Sequence, residues 1–214
     1  GWLVGVVCYS PFFGTADREI VACLMACGCF TSGDVILNKL MAVLGAGSQG
    51  LSGQERKYYD YLCSSYPRNH NYQLYQHQLY PSLKLATRYR KLSRLYPAPL
   101  TSLLDCSVSK GFFVFAAASV PSCTRIMGID IEAYNIEVCN WLKTYVRQER
   151  PVLATLSLHE LAARIAEFGG PFQTVLVVNM YQYLYFGSGL SDSCYLDHDL
   201  IFGHLATVCS HRVI

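Results

Sequence analysis

The feature that most restricts the fold is a near-continuous apolar run, Phe172 to Asn179, which ends in a polar residue. A strand that is buried on both faces, at the centre of a parallel sheet, has this pattern. Similar short apolar runs begin at Leu100, Ile126 and Pro151, a further strand begins at Arg212, and helical patterns lie between them. Strands that alternate with helices predict an α/β fold with a doubly wound, mostly parallel sheet.

The best-defined part of this pattern is a βαβ unit over residues 100–131. Its first strand ends in Asp105, and a turn of small residues follows as far as Gly111. An apolar helix then opens over Phe112–Ala118, and the second strand carries Asp130 near its carboxyl end. Such a turn lets backbone N–H groups approach a ligand, and the acid can accept hydrogen bonds from two ribose hydroxyls. The unit is therefore typical of a nucleoside-binding site.

This unit resembles motifs I and II of the class I S-adenosylmethionine-dependent methyltransferases. The family's first loop commonly reads Asp-x-Gly-x-x-x-Gly, and its second strand often ends in Gly-Ile-Asp. The matching residues are Asp105, Ser107, Gly111, Gly128, Ile129 and Asp130. The resemblance implies a Rossmann-like fold and S-adenosyl-L-methionine as the cofactor. It also implies that Asp105 orients the loop and helps to hold the cofactor's ammonium group, that Gly111 allows close backbone approach, and that Asp130 binds the ribose hydroxyls.

Ser107 stands where the family usually has its first glycine. A side chain at this position would crowd the methionine part of the cofactor, or would require a backbone angle that glycine reaches most easily. Serine is the mildest replacement, and Ser107 stays among the residues predicted to line the cofactor site.

A third segment, from Val177 to Ser188, is similar to the family's fourth strand and the loop after it. In the family a polar residue ends this strand, and aromatic residues line the methyl-acceptor pocket. The resemblance therefore implies a cofactor contact for Asn179 and acceptor contacts for Tyr181 and Tyr183. The Asn/Asp-Pro-Pro-Tyr signature of amino-methyltransferases is absent, which argues against N-methylation of adenine or cytosine.

Methyl transfer is an in-line displacement in which the cofactor supplies the reactive group and the protein mainly aligns the acceptor and excludes water. A base is needed only when the acceptor loses a proton. His159, His198, His204 and the tyrosines of 181–185 are candidates, although His198 is more typical of a helix cap or surface residue. We assign no catalytic residue from the sequence.

Residues 1–97 are predicted to form a helical N-terminal cap over the substrate region, and residues 98–214 the Rossmann-like methyltransferase core. Helices are predicted over Asp17–Phe30, over Gly33–Leu44 and, from the capping box Ser52-Gly-Gln-Glu55, from Gly53 to about Ser64. The family's sheet has seven strands and five are evident here. The last two are therefore missing from a truncated core, replaced by the apolar N-terminal segment, or not recognised.

The stretch from Tyr58 to Tyr96 is rich in tyrosine. We interpret it as an amphipathic helical layer whose hydroxyls face water, with an aromatic wall over the active site as the alternative. A basic run is interpreted as a solvated helix face, with phosphate or RNA binding as the alternative; it comprises Lys84, Arg88, Arg90, Lys91 and Arg94. Lys110 is predicted to face solvent, because a methyltransferase has no phosphate at this turn.

Composition narrows the class of protein. A chain of 214 residues with 52% hydrophobic and 15% charged residues is a well-buried globular protein, and a formal net charge of +2 is too small to argue for nucleic acid. The ten cysteines are spread along the chain, which favours reduced thiols in a cytoplasmic protein without disulfides or a metal site. No stretch reaches the roughly 18 apolar residues of a membrane span, so no membrane partner is expected.

The function predicted from the sequence is S-adenosylmethionine-dependent methyl transfer to an unidentified acceptor, with a small molecule favoured over RNA. An alternative from a different class is a non-catalytic, methyltransferase-like binding or scaffold protein, which Ser107 and the unrecognised last strands would fit. A dinucleotide-dependent oxidoreductase is disfavoured, because the turn lacks Gly-x-Gly-x-x-Gly.

Overall fold

The computed structural model describes residue 48 and residues 50–189 and 195–214. The predicted helices Asp17–Phe30 and Gly33–Leu44, and the apolar segment at residues 1–9, lie outside the described residues.

The described part of the N-terminal extension contains two helices and a β-hairpin. Helix α1 (Gly53–Ser64) begins at the predicted capping box, in which the Ser52 hydroxyl accepts from the Glu55 N–H and the Glu55 carboxylate accepts from the Ser52 N–H. A 3-10 turn, Arg68–His70, leads into strands β1 (Tyr72–Tyr75) and β2 (Gln78–Pro81), and helix α2 (Leu83–Ser93) follows. The helix predicted from Gly53 to about Ser64 is confirmed.

The prediction of a helical layer between Tyr58 and Tyr96 is wrong in its middle, where the hairpin lies. Gln76 and His77 form a two-residue turn with φ angles of 46° and 64°. Positive φ at both positions is the geometry of a type I′ turn, for which Asn-Gly is the usual sequence signal. Gln-His carries no such signal. A distant contact holds the turn instead, since Nδ1 of His77 donates to the carbonyl oxygen of Tyr145 at 2.6 Å.

The core is a sheet of five parallel strands with the order β5-β4-β3-β6-β7. The strands are β3 (Ser102–Asp105), β4 (Arg125–Asp130), β5 (Val152–Thr155), β6 (Phe172–Leu176) and β7 (Cys209–Val213). The helices are α3 (Phe112–Ala118), α4 (Ala133–Tyr145), α5 (Leu158–Ala163), α6 (Tyr181–Phe186) and α7 (His198–Val208), and a 3-10 turn, Ile165–Phe168, follows α5. The predicted α/β fold, with a doubly wound, Rossmann-like sheet and an N-terminal extension, is confirmed.

Two hydrophobic clusters cover the opposite faces of the sheet. Neighbouring residues of β3 alternate between them, because successive side chains of a strand point to opposite faces: Leu103 belongs to one cluster and Leu104 to the other. Helices α3 and α4 contribute to the first cluster, and α5 and α7 to the second. The first cluster also contains buried residues of the extension, among them Leu62, Leu74 and Leu85. The extension and the sheet therefore share one core.

The order of the strands fixes where a ligand can bind. The chain leaves β3 toward β4 and β5, and it later returns to β6 on the other side of β3. The order therefore reverses between the carboxyl ends of β3 and β6, and open α/β sheets bind their ligands at such points. Asp105 is the last residue of β3 and lies at this place.

No helix in the described part of the chain is long and apolar enough to cross a membrane. Within the same residues, no three His, Cys, Asp or Glu side chains are grouped so that they could hold a metal ion. Five cysteines in the described part of the chain are free thiols: Cys63, Cys106, Cys123, Cys139 and Cys209.

We predict that Gly128→Ala destabilises the fold by about 2 kcal/mol, because overpacking a well-filled core costs this much. A Cβ atom on Gly128 would lie 2.6 Å from Cγ2 of Val108 and 3.1 Å from Cγ2 of Val114, so both the cofactor-type loop and helix α3 would have to shift. Urea unfolding measures the change. The matched control is Gly203→Ala in α7, where nothing lies within 4 Å of the new methyl group and a gain of roughly 0.5–1 kcal/mol is expected. Unchanged stability of Gly128→Ala would contradict the close contact of β4 with the loop.

Candidate functional site

The loop between β3 and α3, residues 106–111, crosses the carboxyl ends of the two central strands β3 and β4. Its backbone is tied to β4, because Val108 N–H donates to the carbonyl oxygen of Ile129 and Ser109 N–H donates to Oδ2 of Asp130, both at 2.9 Å. Gly111 N–H closes the turn by donating to the Val108 carbonyl at 2.7 Å. The loop and the acid that the sequence placed 25 positions after Asp105 are thus in direct contact.

The left-handed residues of this loop are Ser109, with φ of 47°, and Gly111, with φ of 79°, whereas Ser107 does not adopt positive φ. The serine at the family's first-glycine position is therefore accommodated without left-handed backbone strain. Glycine is required at 111 for two reasons. Its φ is one that other residues rarely adopt, and a Cβ there would lie 2.9 Å from both Sγ of Cys139 and the Phe115 ring.

Asp105 is buried, with 3% of its surface exposed, and its carboxylate is only half satisfied. Oδ1 accepts a long hydrogen bond of 3.4 Å from Ser107 N–H. Oδ2 is buried and has no hydrogen-bond partner among the described residues. Burial, aided by the nearby charge of Asp130, raises the pKa of Asp105 to about 8. A buried carboxyl group with an unpartnered oxygen is rare in native proteins, and a cationic ligand with N–H donors would favour its ionised form and satisfy that oxygen.

Asp105 lines a cavity of about 20 Å³ at the point where the strand order reverses. The loop supplies one wall, Val178 after β6 supplies a second, and His70 and Leu85 of the extension cover it. A cavity of this size holds about one water molecule. The cavity enclosed by the described residues can therefore hold one small polar group, and it is too small for a whole nucleoside.

Lys110 is buried, with 1% of its surface exposed, so the prediction that it faces solvent is wrong. Its ammonium group donates to the Ser65 carbonyl oxygen at 2.9 Å, to Oγ of Ser65 at 3.2 Å and to Oδ1 of Asn71, and it lies 4.9 Å from the centre of the Tyr61 ring. Burial lowers the pKa of Lys110 to about 8. Tyr72 also donates its hydroxyl proton to the Lys110 carbonyl oxygen, so some phenols of the extension point inward rather than to water. Lys110 thus fastens the loop to the extension.

Asp130 stands at the carboxyl end of β4, where the sequence placed it, and 7% of its surface is exposed. Oδ1 accepts from Glu132 N–H at 3.0 Å, and Oδ2 accepts from Ser109 N–H. A carboxylate has about four acceptor positions, so roughly two remain for a ligand. Asp130 therefore fixes the shape of the loop and keeps some capacity to bind hydroxyl groups.

The three residues predicted after β6 differ in their exposure and contacts. Asn179 is exposed, with φ of 59°, and its carbonyl oxygen accepts from Nε2 of Gln182. Tyr183 is 55% exposed on α6. Tyr181 is half-buried, and its hydroxyl lies 2.6 Å from Nδ1 of His198, whose ring stacks on Tyr185 at 4.3 Å. His198 is exposed at the start of α7, as predicted for a cap or surface residue, and its contacts with Tyr181 and Tyr185 carry no signal in the sequence.

The other two histidines considered as bases form a separate group between α5 and α7. The rings of His159 and His204 lie 5.0 Å apart, and Nδ1 of His204 lies 3.1 Å from the Tyr195 hydroxyl. Burial, followed by the charge of His159, lowers the pKa of His204. His204 is therefore held toward its neutral form, although none of the three residues lines the cavity beside Asp105.

No protein-family model matches the sequence, and a search of the curated proteins finds no match. Several solved methyltransferase structures are similar in fold. The N-terminal domain of EvdMO1, crystallised with S-adenosylhomocysteine (SAH) and D-fucose, is 16% identical with a TM-score of 0.47, over 64% of this chain and 55% of that one. A putative O-methyltransferase from Klebsiella pneumoniae is 11% identical with a TM-score of 0.46, over 82% and 67% of the two chains.

Coclaurine N-methyltransferase, crystallised with N-methylheliamine and SAH, is 11% identical with a TM-score of 0.41, over 78% of this chain and 48% of that one. In the first of these comparisons, the chain spans about half the length of the EvdMO1 domain that it matches. With TM-scores of 0.41 to 0.47, these likenesses do not assign the chain to a family.

We predict that Asp105→Asn flattens the pH dependence of stability. The unfolded carboxyl ionises near pH 4, whereas the folded carboxyl keeps its proton up to about pH 8. The folded state therefore binds more protons in this window, and the free energy of unfolding of the wild type falls as the pH rises, by up to ~1.4 kcal/mol per pH unit from this group. The asparagine variant lacks this loss and should be the more stable protein at about pH 8.

Urea unfolding at intervals between about pH 5 and about pH 8 measures this slope. Asp60→Asn on the exposed face of α1 is the matched control and should keep the wild-type slope. Equal slopes for Asp105→Asn and the wild type would show that Asp105 is ionised throughout the window.

Proposed function

We propose that the protein is an S-adenosylmethionine-dependent methyltransferase that acts on an unidentified acceptor, with a small molecule favoured. The observation that carries this proposal is the unpartnered Oδ2 of Asp105, buried where the strand order reverses and beside a loop that Asp130 holds in place. An ammonium group is the natural partner for such an oxygen, because it supplies both a positive charge and N–H donors. The cofactor combines an ammonium group with a ribose, which suits the two acids of this site.

The residues present fit the polar groups of the cofactor. Asp105 would accept hydrogen bonds from the ammonium group, and bringing a positive charge to it would lower the cost of its burial. Asp130 would accept from the ribose hydroxyls through the acceptor positions that the backbone leaves open. Ser107 and Gly111 would form the floor between the two acids. When it is bound, the cofactor supplies a methyl group on a positively charged sulfur, and the protein supplies alignment and shelter from water.

The volume of the cavity does not match the size of the cofactor, because the cavity holds only about one water molecule. The side chains that narrow it from the extension are His70 and Leu85. Binding would therefore require the turn at Arg68–His70 to move outward from the loop. Since the Lys110 ammonium holds the preceding Ser65 against the loop, this movement would be limited by three hydrogen bonds.

The acceptor side is proposed to lie beyond β6, where Asn179, Tyr181 and Tyr183 follow the strand. Tyr181 and His198 share a hydrogen bond and could pass a proton from an acceptor to solvent. No acceptor is identified by these residues, and we assign no base.

A second candidate function is a non-catalytic binding or scaffold protein with a methyltransferase-like fold. The small volume of the cavity and the cover provided by the extension support it. The two candidates differ in one measurable property, since a scaffold protein would not bind the cofactor product SAH.

We predict that the wild type binds SAH in isothermal titration calorimetry and that NAD⁺ gives no heat of binding. Asp130→Asn should weaken SAH binding about tenfold or more, because hydrogen bonds from the ribose to a charged acceptor are lost and the amide oxygen can accept from only one of the Ser109 and Glu132 N–H groups. The matched control is Asp60→Asn on α1, which should bind as the wild type does. An absence of SAH binding at millimolar concentration would refute the methyltransferase proposal in favour of the scaffold protein.

A further inference from the structure

We propose that a second cavity, between the hairpin turn and the ends of helices α3 and α4, binds a small organic monoanion: a carboxylate carried on an apolar body. The cavity has a volume of about 400 Å³, which lies within the range of small-molecule sites. Its walls come from three segments, which are residues 76–79 of the hairpin, the carboxyl-terminal half of α3 and residues 146–148 after α4.

This cavity lies at the opposite edge of the sheet from the loop at residues 106–111. Helices α3 and α4 begin after the carboxyl ends of β3 and β4 and run back toward the amino ends of the strands that follow them. The cavity touches the caps at their far ends, Ser119 and Val146. None of its residues lines the cavity beside Asp105. The inference is therefore independent of the methyltransferase proposal.

The floor of the second cavity is apolar and its mouth is polar. Leu79, Phe115 and Val146 line the floor, and all three are buried members of the first hydrophobic cluster. Ser119 and Arg147 are exposed, so the cavity is open to solvent on their side. A ligand that fits would place apolar surface on the floor and a polar end at the mouth.

Three residues of the lining adopt left-handed backbone conformations although none is glycine. The φ angles are 46° at Gln76, 64° at His77 and 56° at Arg147. Arg147 stands one position after the cap of α4, where helices usually carry glycine or asparagine. Such conformations lower the stability of a fold, and they cluster at ligand sites, where the side chain has a use that offsets the strain.

The carbonyl groups at the two helix ends are already partnered. The last four carbonyl oxygens of α4, at residues 142–145, accept from the N–H groups of residues 146–148 and from Nδ1 of His77. The carbonyl oxygens at residues 116–118 of α3 accept from the N–H groups of Ser119 and Val120 and from the Arg150 guanidinium group. A cationic ligand would therefore find the acceptors that a helix end normally offers occupied.

Arg147 supplies a positive charge that is free for an anion. Among the described residues, no carboxylate pairs with Arg147, and no Asp or Glu lines the cavity. A guanidinium group can donate two parallel N–H bonds to one carboxylate. Because Nδ1 of His77 is engaged with Tyr145, Arg147 is the one formal charge in the described lining, and it suits a monoanion.

The test compares two ligands that differ in charge at one end: 4-phenylbutyrate and its neutral amide, 4-phenylbutanamide. Isothermal titration calorimetry is carried out on the whole chain. The wild type should bind the carboxylate about tenfold more tightly than the amide, because only the carboxylate pairs with the guanidinium group. Arg147→Gly should weaken carboxylate binding about tenfold, to the level of the amide, and should leave amide binding unchanged.

The same variant gives a second readout. Glycine adopts a φ of 56° without strain, so Arg147→Gly should raise the midpoint of thermal unfolding by roughly 2 °C while it loses the carboxylate. If Arg147 served only to stabilise the end of α4, its removal would lower the midpoint and leave the affinity for the carboxylate unchanged. That result would overturn the proposal.

The matched control is Arg94→Gly. Arg94 is an exposed member of the basic run, as expected of a solvated helix face, and it caps α2 with an ordinary φ of −68°. The control should lower the midpoint and change neither affinity. Arg147→Met is a second variant, expected to lose the carboxylate to the same extent, for use if Arg147→Gly does not fold. Equal binding of the two ligands by the wild type, or no binding of 4-phenylbutyrate at millimolar concentration, would also refute the site.

Discussion

The conformation of the loop at residues 106–111 depends on one constraint: its backbone is held from both sides by charged side chains. Asp130 accepts from the Ser109 N–H on the side of the sheet, and Lys110 reaches across to Ser65 and Asn71 on the side of the extension. Two loop residues, Ser109 and Gly111, adopt left-handed conformations, which local preference alone would not maintain. The position of Asp105, the shape of the cavity and the placement of His70 all follow from this arrangement.

The unpartnered carboxylate of Asp105 is unfavourable for the folded protein and useful for a ligand site. Removing a carboxyl group from water without supplying donors costs free energy, which the fold tolerates because the surrounding apolar clusters are large. Functional sites are the usual place for such a local conflict between stability and chemistry. The neighbouring Asp130 shows the opposite arrangement, since backbone N–H groups satisfy both of its oxygens. Asp105 is thus suited to a cationic group of a ligand, whereas Asp130 is suited to holding the backbone of the loop.

Much of the fold could be predicted from the sequence, because the core strands are short apolar runs whose pattern depends on burial alone. Phe172–Leu176 and Phe112–Ala118 lie where the pattern placed them, and the Ser52–Glu55 capping box marks the start of α1. The hairpin could not be predicted because its Gln76–His77 turn has no turn signal in the sequence, and the turn contacts Tyr145, 68 positions away. The burial of Lys110 and the pairing of His70 with Arg88 were missed for the same reason. Each depends on partners that only the tertiary structure brings together, and no spacing in the sequence signals them.

The shared hydrophobic cluster has a consequence for how the molecule folds. Leu62, Leu74 and Leu85 belong to the same hydrophobic cluster as Leu103 and Ile126 of the core strands, so residues on either side of position 97 contribute to one interior. A fragment that began near residue 98 would expose the part of this cluster that the extension covers, together with the side chain of Lys110, to solvent. Such a fragment would be prone to self-association through that face. The described part of the extension would therefore be expected to unfold together with the strands that bear the two acids.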